Sequence, residues 1–297
     1  MTESGYADLF VSASDGLALH ARDYGPRLSL ALPVVCLPGL TRNSTDFHHL
    51  ARVLAGDAER PRRVLALDYR GRGLSAYDLD WRRYDLRVEL NDVLQVLTAA
   101  GVSEAVLVGT SRGGLLTMAL CAARPALLRA AVLNDIGPVI ENTGLARIRG
   151  YVGKLPEPRD LADGARILRE RNVREFPGLS EEAWRFFAGG SWREEDGRVV
   201  LSYDRALMRT LEPLDLTKPQ PPLWSLFEGL KRVPLLLLRG ENSDLLSAET
   251  LDAMARAHPS LEAITVLGQG HAPLLLGDDL LVRIRTFIVR IEAIHSV

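Results

Sequence analysis

The chain has 297 residues, 47% of them hydrophobic, and 36 Lys and Arg against 38 Asp and Glu leave a formal net charge of -2. This length suits one large domain or a domain with a sizeable insertion. The balanced charge gives no general attraction to nucleic acid or an anionic membrane, and no Cys/His cluster has zinc spacing.

In chain order, the opening MTESGYADLF lacks a basic region followed by an apolar run, so no signal peptide is expected. No apolar stretch reaches the roughly 18–20 residues of a membrane helix. A cytoplasmic protein is expected. Residues 9–25 read as two short strands around Asp15-Gly16, a hairpin turn signal. Residues 32–38 are a short buried strand, and 44–56 an amphipathic helix with Ser44 or Thr45 as N-cap. A strand at 63–68 precedes a long helix at 85–101, which Gly101 stops. A strand at 105–110, a helix at 112–123 and a strand at 130–135 follow. Cys36 and Cys121 fall in apolar segments and read as two buried thiols rather than a disulfide.

This alternation predicts an α/β fold, a mostly parallel twisted sheet with helices on both faces. The rhythm stops after Gly137-Pro138. Residues 139–230 carry helical pieces, a turn-rich stretch at 191–204 and a Pro-rich exit, KPQPP. It resumes with a strand at 233–240, a helix at 247–258, a strand at 263–267 and a helix at 279–295. The expected organisation is a core of residues 1–138 plus 231–297, interrupted by an insertion at 139–230.

In VLVGTSRGGLL, a strand runs into Gly109-Thr110-Ser111-Arg112-Gly113-Gly114 and a helix follows. In that context Gly-x-Ser-x-Gly puts the serine on a sharp bend, with small neighbours where strand and helix pass closely. The helix N-terminus favours a developing anion there. A serine nucleophile needs a base. Of the six histidines, His271 alone lies in a turn after a late strand, with Gly268 and Gly270 allowing a tight loop. The orienting acid should fall between serine and histidine. Asp244, just past the 233–240 strand, is preferred, with Asp135 in LNDIGP as the alternative acid and Glu241 third. The expected oxyanion donors are the backbone N–H groups of Arg112 and of Leu40, the latter in the turn after Pro38-Gly39.

These pieces, LPGLTRNSTDF, LDYRGRGLS, GTSRGG, NDIGP, RGENSDLL and GQGHAP, resemble the α/β-hydrolase superfamily across nearly the whole chain. The resemblance implies a Ser–Asp–His site and makes 139–230 a lid or cap. It implies a bracing, unreactive turn carrying Asp68, Arg70, Gly71, Gly73 and Ser75. Pro38 stands where the family usually has His, and Arg112 where Met, Leu or Gln is usual. The serine argues against the branches that use an aspartate nucleophile, epoxide hydrolases and haloalkane dehalogenases. Arg112 is expected to pair with a buried carboxylate (Asp135, Asp68 or Asp46) rather than with substrate, because an unpaired guanidinium beside the site is costly. Of the insertion's aromatic residues, Trp184, Phe187 and Tyr151 are the candidate substrate pocket. Arg147, Arg149, Arg166, Arg169, Arg171 and Arg174 read as a solvated face.

The resulting expectation is a serine hydrolase cleaving small to medium carboxylic esters through an acyl-enzyme, a carboxylesterase-like enzyme. The alternatives on the same triad are a C–C bond hydrolase, a lactonase and a cofactor-free perhydrolase or haloperoxidase. A ligand receptor or regulator is the alternative of another class. No metal or organic cofactor is called for. The expected partner is a small-molecule ester, with no nucleic acid and no membrane, and the chain is expected as a monomer, with a dimer as the alternative.

Overall fold

Short runs rich in Val, Leu and Ala become strands whose successive side chains feed opposite faces. In the computed structural model, which describes residues 5–295, eight of them form one sheet in the order β1-β2-β4-β3-β5-β6-β9-β10. β1 (Tyr6–Ser12) and β2 (Ala18–Tyr24) form an antiparallel hairpin, and β2 pairs antiparallel with β4 (Val64–Asp68). The pairings among β3 (Val34–Leu37), β4, β5 (Ala105–Thr110), β6 (Leu128–Asn134), β9 (Leu235–Gly240) and β10 (Leu261–Val266) are parallel. This is a mostly parallel α/β-hydrolase sheet.

The alternation builds two cores. Val35, Leu37, Leu65, Leu107, Leu133 and Leu237 face one side, and Val34, Cys36, Ala66, Val108, Val132 and Leu238 the other. Against the first lie α2 (Leu86–Ala99), α3 (Arg112–Ala123) and α8 (Ala248–Ala257), through Val93, Leu116 and Met254. Against the second lie α1 (His48–Ala55) and α9 (Asp278–His295), through Leu50, Leu54, Ile284 and Ile288. Cys36 and Cys121 are free and buried. α1 differs in its start. A 3₁₀ turn, Ser44–Phe47, precedes it, and Asn43 rather than Ser44 or Thr45 is the cap, its side chain accepting from Thr45 N–H.

The chain leaves the sheet after β6 and returns at β9. Between them come α4 (Asn142–Tyr151), α5 (Leu161–Asn172) and α6 (Glu181–Gly189), then a separate hairpin, β7 (Trp192–Glu195) with β8 (Arg198–Leu201), and α7 (Trp224–Glu228). The hairpin occupies the turn-rich stretch. Asp196-Gly197 takes positive φ at both residues, 49° and 74°, as a tight two-residue turn requires.

Backbone bonds tie this insertion to the core, among them Gly73 N–H to Ser202 O and Asp204 N–H to Gly71 O, both 2.8 Å. The anchoring turn is rigid for identifiable reasons. The Asp68 carboxylate accepts from Ser44 N–H at 2.6 Å and Leu74 N–H at 3.0 Å. A Cβ on Gly73 would sit 2.1 Å from Asp68 Oδ2. Buried Arg70 is bonded to Asp92, Asp15 and Asp78.

Candidate active site

Ser111 directly follows β5 and caps α3, with φ 52° and ψ −113°. A non-glycine residue holds such a backbone only when its surroundings over-determine it. Here they do. Ser111 N–H donates to Asn134 O at 2.9 Å, and glycines line the crossing of β5 and α3. A Cβ on Gly113 would lie 1.9 Å from Leu37 O, and one on Gly109 would lie 2.5 Å from Gly113 O.

His271 Nε2 stands 2.9 Å from Ser111 Oγ. Its other nitrogen, Nδ1, is 2.8 Å from Asp135 Oδ2. The histidine loop is steadied by Asn134 Nδ2, which donates to Pro273 O at 2.9 Å and to Thr110 Oγ1 at 3.1 Å. Asp135 also has a left-handed backbone, φ 58°. Its Oδ1 accepts from Gly240 N–H at 2.8 Å, and its Oδ2 from Ser243 Oγ at 2.5 Å. With these donors on the carboxylate, the imidazole proton belongs on Nδ1 and the lone pair on Nε2 faces the serine.

The preference for Asp244 is therefore corrected: the carboxylate on His271 is that of Asp135. The reason is the β6–β9 register. Asn134 pairs with Leu238, so Asp135 leaves its strand beside the serine's strand and under the histidine loop. The chain after β9 turns back at Ser243 and carries Asp244 to the insertion. There Arg147 grips it in bidentate fashion, Nε to Oδ2 at 2.6 Å and Nη2 to Oδ1 at 2.8 Å. Partial burial alone would raise the Asp244 pKa, but the Arg147 guanidinium holds the carboxyl below its ordinary value. Glu241 faces Gly268 N–H instead. Ser243 and Asn134 escaped the sequence reading, although each directly precedes one of the candidate aspartates.

Arg112 supplies the first N–H of α3, which has no carbonyl one turn ahead to receive it. Gly39 brings the β3 turn so close that an added Cβ would sit 3.8 Å from Ser111 Cβ. The Leu40 carbonyl is held by Arg72 Nε at 2.8 Å. The Arg112 side chain turns away from the site: Nε donates to Glu89 Oε2 at 2.6 Å and Nη2 to Tyr84 O at 3.0 Å. Its partner is none of the three carboxylates expected. Asp135 holds His271, Asp68 holds His20 and Asp46 holds Arg42. Glu89 is shared with fully buried Arg72, 2.7 Å away. Burial alone would raise the Glu89 pKa, yet Arg112 and Arg72 together bring it below its ordinary value.

A cavity of about 80 Å³ opens beside Ser111, lined by Leu40, Ile148, Tyr151, Phe186, Phe187 and His271 among others. A second, of about 220 Å³, shares Thr41, Arg42, Tyr151, Phe187 and His271 with it and continues under the insertion. Tyr151 and Phe187 thus line the space, while Trp184 does not. It is 2% exposed and stacks behind Phe187 with ring centroids 6.0 Å apart. Arg42 also holds Phe187, its guanidinium 4.7 Å from the ring centre. The expected solvated arginine face is only partly present. Arg166 pairs with Asp163 and Glu170 in solvent, but Arg147 and Arg171 line the second cavity.

A strained serine, an imidazole and a buried aspartate in one hydrogen-bonded line, at the carboxyl edge of this sheet, define the α/β-hydrolase class. The alpha/beta hydrolase family model matches residues 34–283, and the chain belongs to that family. The chain is 30% identical, over 89% of its own length and 91% of the relative's, to a 3-hydroxybutyrate-oligomer hydrolase of Cupriavidus necator. It is 26% identical to a 2-(acetamidomethylene)succinate hydrolase of Mesorhizobium japonicum, over 78% of this chain and 79% of that one. Among solved structures, an alpha/beta hydrolase from Novosphingobium aromaticivorans superposes with TM-score 0.88 at 41% identity, covering 96% of this chain and 99% of that one. No described helix is long and apolar enough to cross a membrane.

Proposed function

We propose that this hydrolase is a serine esterase acting on short carboxylic esters, with Ser111, His271 and Asp135 as its triad. The observation that carries the reading is the unbroken line Ser111 Oγ, His271 Nε2, His271 Nδ1, Asp135 Oδ2, with links of 2.9 and 2.8 Å. Ser111 Oγ attacks the ester carbonyl while His271 Nε2 takes its proton. Asp135 holds the imidazole and stabilises its cation. The carbonyl oxygen becomes an anion facing the N–H groups of Arg112 and Leu40. His271 then gives the proton to the departing alkoxide, leaving an acyl-serine. Water, deprotonated by the same imidazole, releases the acid and restores Ser111.

The insertion acts as a lid over the serine. The small space beside Ser111 supports a short acyl or alcohol group, and Ile148, Phe186 and Phe187 give it an apolar wall. The Cupriavidus relative's name supports esters of short hydroxy acids as the chemical neighbourhood.

The test is hydrolysis of p-nitrophenyl esters from acetate to decanoate by the wild type and by a folded Ser111→Ala variant. Multiple turnover that depends on Ser111 and peaks at short chains supports the reading. Equal activity in both proteins removes Ser111 from the mechanism, and no turnover by a folded wild type removes the esterase.

A further inference from the structure

The cavity beyond the serine is rich in arginine. Three arginines line it, Arg42, Arg147 and Arg171, and among the described residues no Asp or Glu does. Two of the three are already matched. Arg42 is bonded to Asp46 at 2.5 and 2.7 Å, and Arg147 is clamped on Asp244, with Glu175 also within electrostatic reach. Arg171, at the C-terminal end of α5, has no acceptor at hydrogen-bond or ion-pair distance among the described residues, and it is exposed at the rim. Its sequence neighbours on the helix behave differently: Arg166 and Arg169 reach Glu170 and Glu181 in solvent. Beside Arg171, Asn172 and Tyr151 also line the cavity, and the Tyr151 hydroxyl has no partner among the described residues. His271 borders the same space, so it is continuous with the serine's surroundings.

We propose that Arg171 recognises a free carboxylate on the substrate, so that the preferred ester carries an anionic end lodged under the insertion while its carbonyl sits at Ser111. This rests on the esterase reading and adds the substrate's charge to it. An unmatched guanidinium at the rim of a cavity that no Asp or Glu lines attracts an anion, and its planar fork matches a carboxylate's two oxygens. The matched pairs, Arg42–Asp46 and Arg147–Asp244, keep the rest of the wall in place and are structural here. Recognition at the far end orients the scissile bond, so its effect belongs in kcat/KM for charged esters.

The experiment compares p-nitrophenyl hydrogen adipate with p-nitrophenyl heptanoate, in which a terminal ethyl group replaces the carboxylate at about the same overall reach. Wild type, Arg171→Gln, Arg171→Lys and the solvent-facing control Arg166→Gln are assayed with both. The expected result is a preference of about tenfold in kcat/KM for the acidic ester. That preference should be lost in Arg171→Gln, partly kept in Arg171→Lys and unchanged in Arg166→Gln. A wild type without preference, or a ratio unchanged in Arg171→Gln, overturns the proposal. Adipate itself provides a readout independent of turnover, as a rise in Tm. If neither ester is cleaved but adipate raises the Tm of the wild type and not of Arg171→Gln, the carboxylate site stands and the esterase reading falls. An equal rise in both proteins, or none, overturns the site.

Discussion

His271 Nδ1 lies 2.8 Å from Asp135 Oδ2, and that aspartate is fixed in turn by Gly240 N–H and Ser243 Oγ. Its carboxylate is fully buried, so a neutral amide in its place would leave the imidazolium uncompensated and favour the wrong tautomer. Asp135→Asn should therefore lower kcat by about four orders of magnitude. Asp244→Asn should keep turnover within about tenfold of wild type and cost about 1–2 kcal/mol of stability through loss of the Arg147 clamp. Steady-state rates and urea midpoints on the two variants separate the roles. If Asp244→Asn proved the more damaging to kcat, the assignment of Asp135 would fail.

Glu89 joins Arg72 and Arg112 at 2.7 and 2.6 Å with its side chain fully buried. Removing its charge leaves two like-charged guanidinium groups close together, that of Arg72 fully buried and that of Arg112 mostly so. The expected cost of Glu89→Gln is about 3–5 kcal/mol, read as a lower denaturation midpoint at constant m. Arg112→Met should also destabilise, with no selective effect on acidic esters. An Arg112→Met variant of wild-type stability would contradict the bracing role.

His20 is buried between two carboxylates, Nδ1 to Asp68 at 2.7 Å and Nε2 to Asp8 at 2.9 Å. Burial opposes its charge, but the bonds to Asp68 and Asp8 outweigh burial and raise its pKa above 6.5. A raised folded-state pKa means stability that is fully present below the unfolded value of about 6.5 and lost as pH rises through the folded value. Wild-type Tm should fall with increasing pH across that window, more steeply than that of His20→Gln. Parallel curves for the two proteins would count against the charged pair.

Gly113 and Gly150 offer a contrast in backbone crowding. A Cβ at Gly113 meets Leu37 O at 1.9 Å and Leu37 C at 2.5 Å, both main-chain atoms that cannot swing aside. A Cβ at Gly150, inside α4, meets nothing within 4 Å. Gly113→Ala should abolish soluble expression or lower stability by at least about 3 kcal/mol. Gly150→Ala should be neutral or stabilising by up to about 1 kcal/mol. Thermal melts of the two variants decide it, and a wild-type melt for Gly113→Ala would mean that the strand–helix crossing is looser than described.

What could be read from the sequence was whatever is encoded by neighbours along the chain. The alternation of apolar runs marks the strands of the sheet. The glycines around Ser111 mark a strand–helix bend, because only small residues fit where two backbones nearly touch. Gly268 and Gly270 mark the tight loop that carries His271. The acid was not legible in this way. Asp135, Glu241 and Asp244 all follow strands, and nothing local distinguishes them. Their fates are set by the pairing of β6 with β9, by the turn at Ser243 and by an arginine from an element ninety-seven positions away from Asp244. The same holds for Arg112, whose partner sits on α2, and for Arg171, distinguished from Arg166 and Arg169 of the same helix by lining a cavity. Backbone conformation and hydrophobic period are short-range properties. The choice of partner for a buried charge is made by whichever opposite charge the packed sheet and insertion bring within about 3 Å, and only the tertiary structure decides that.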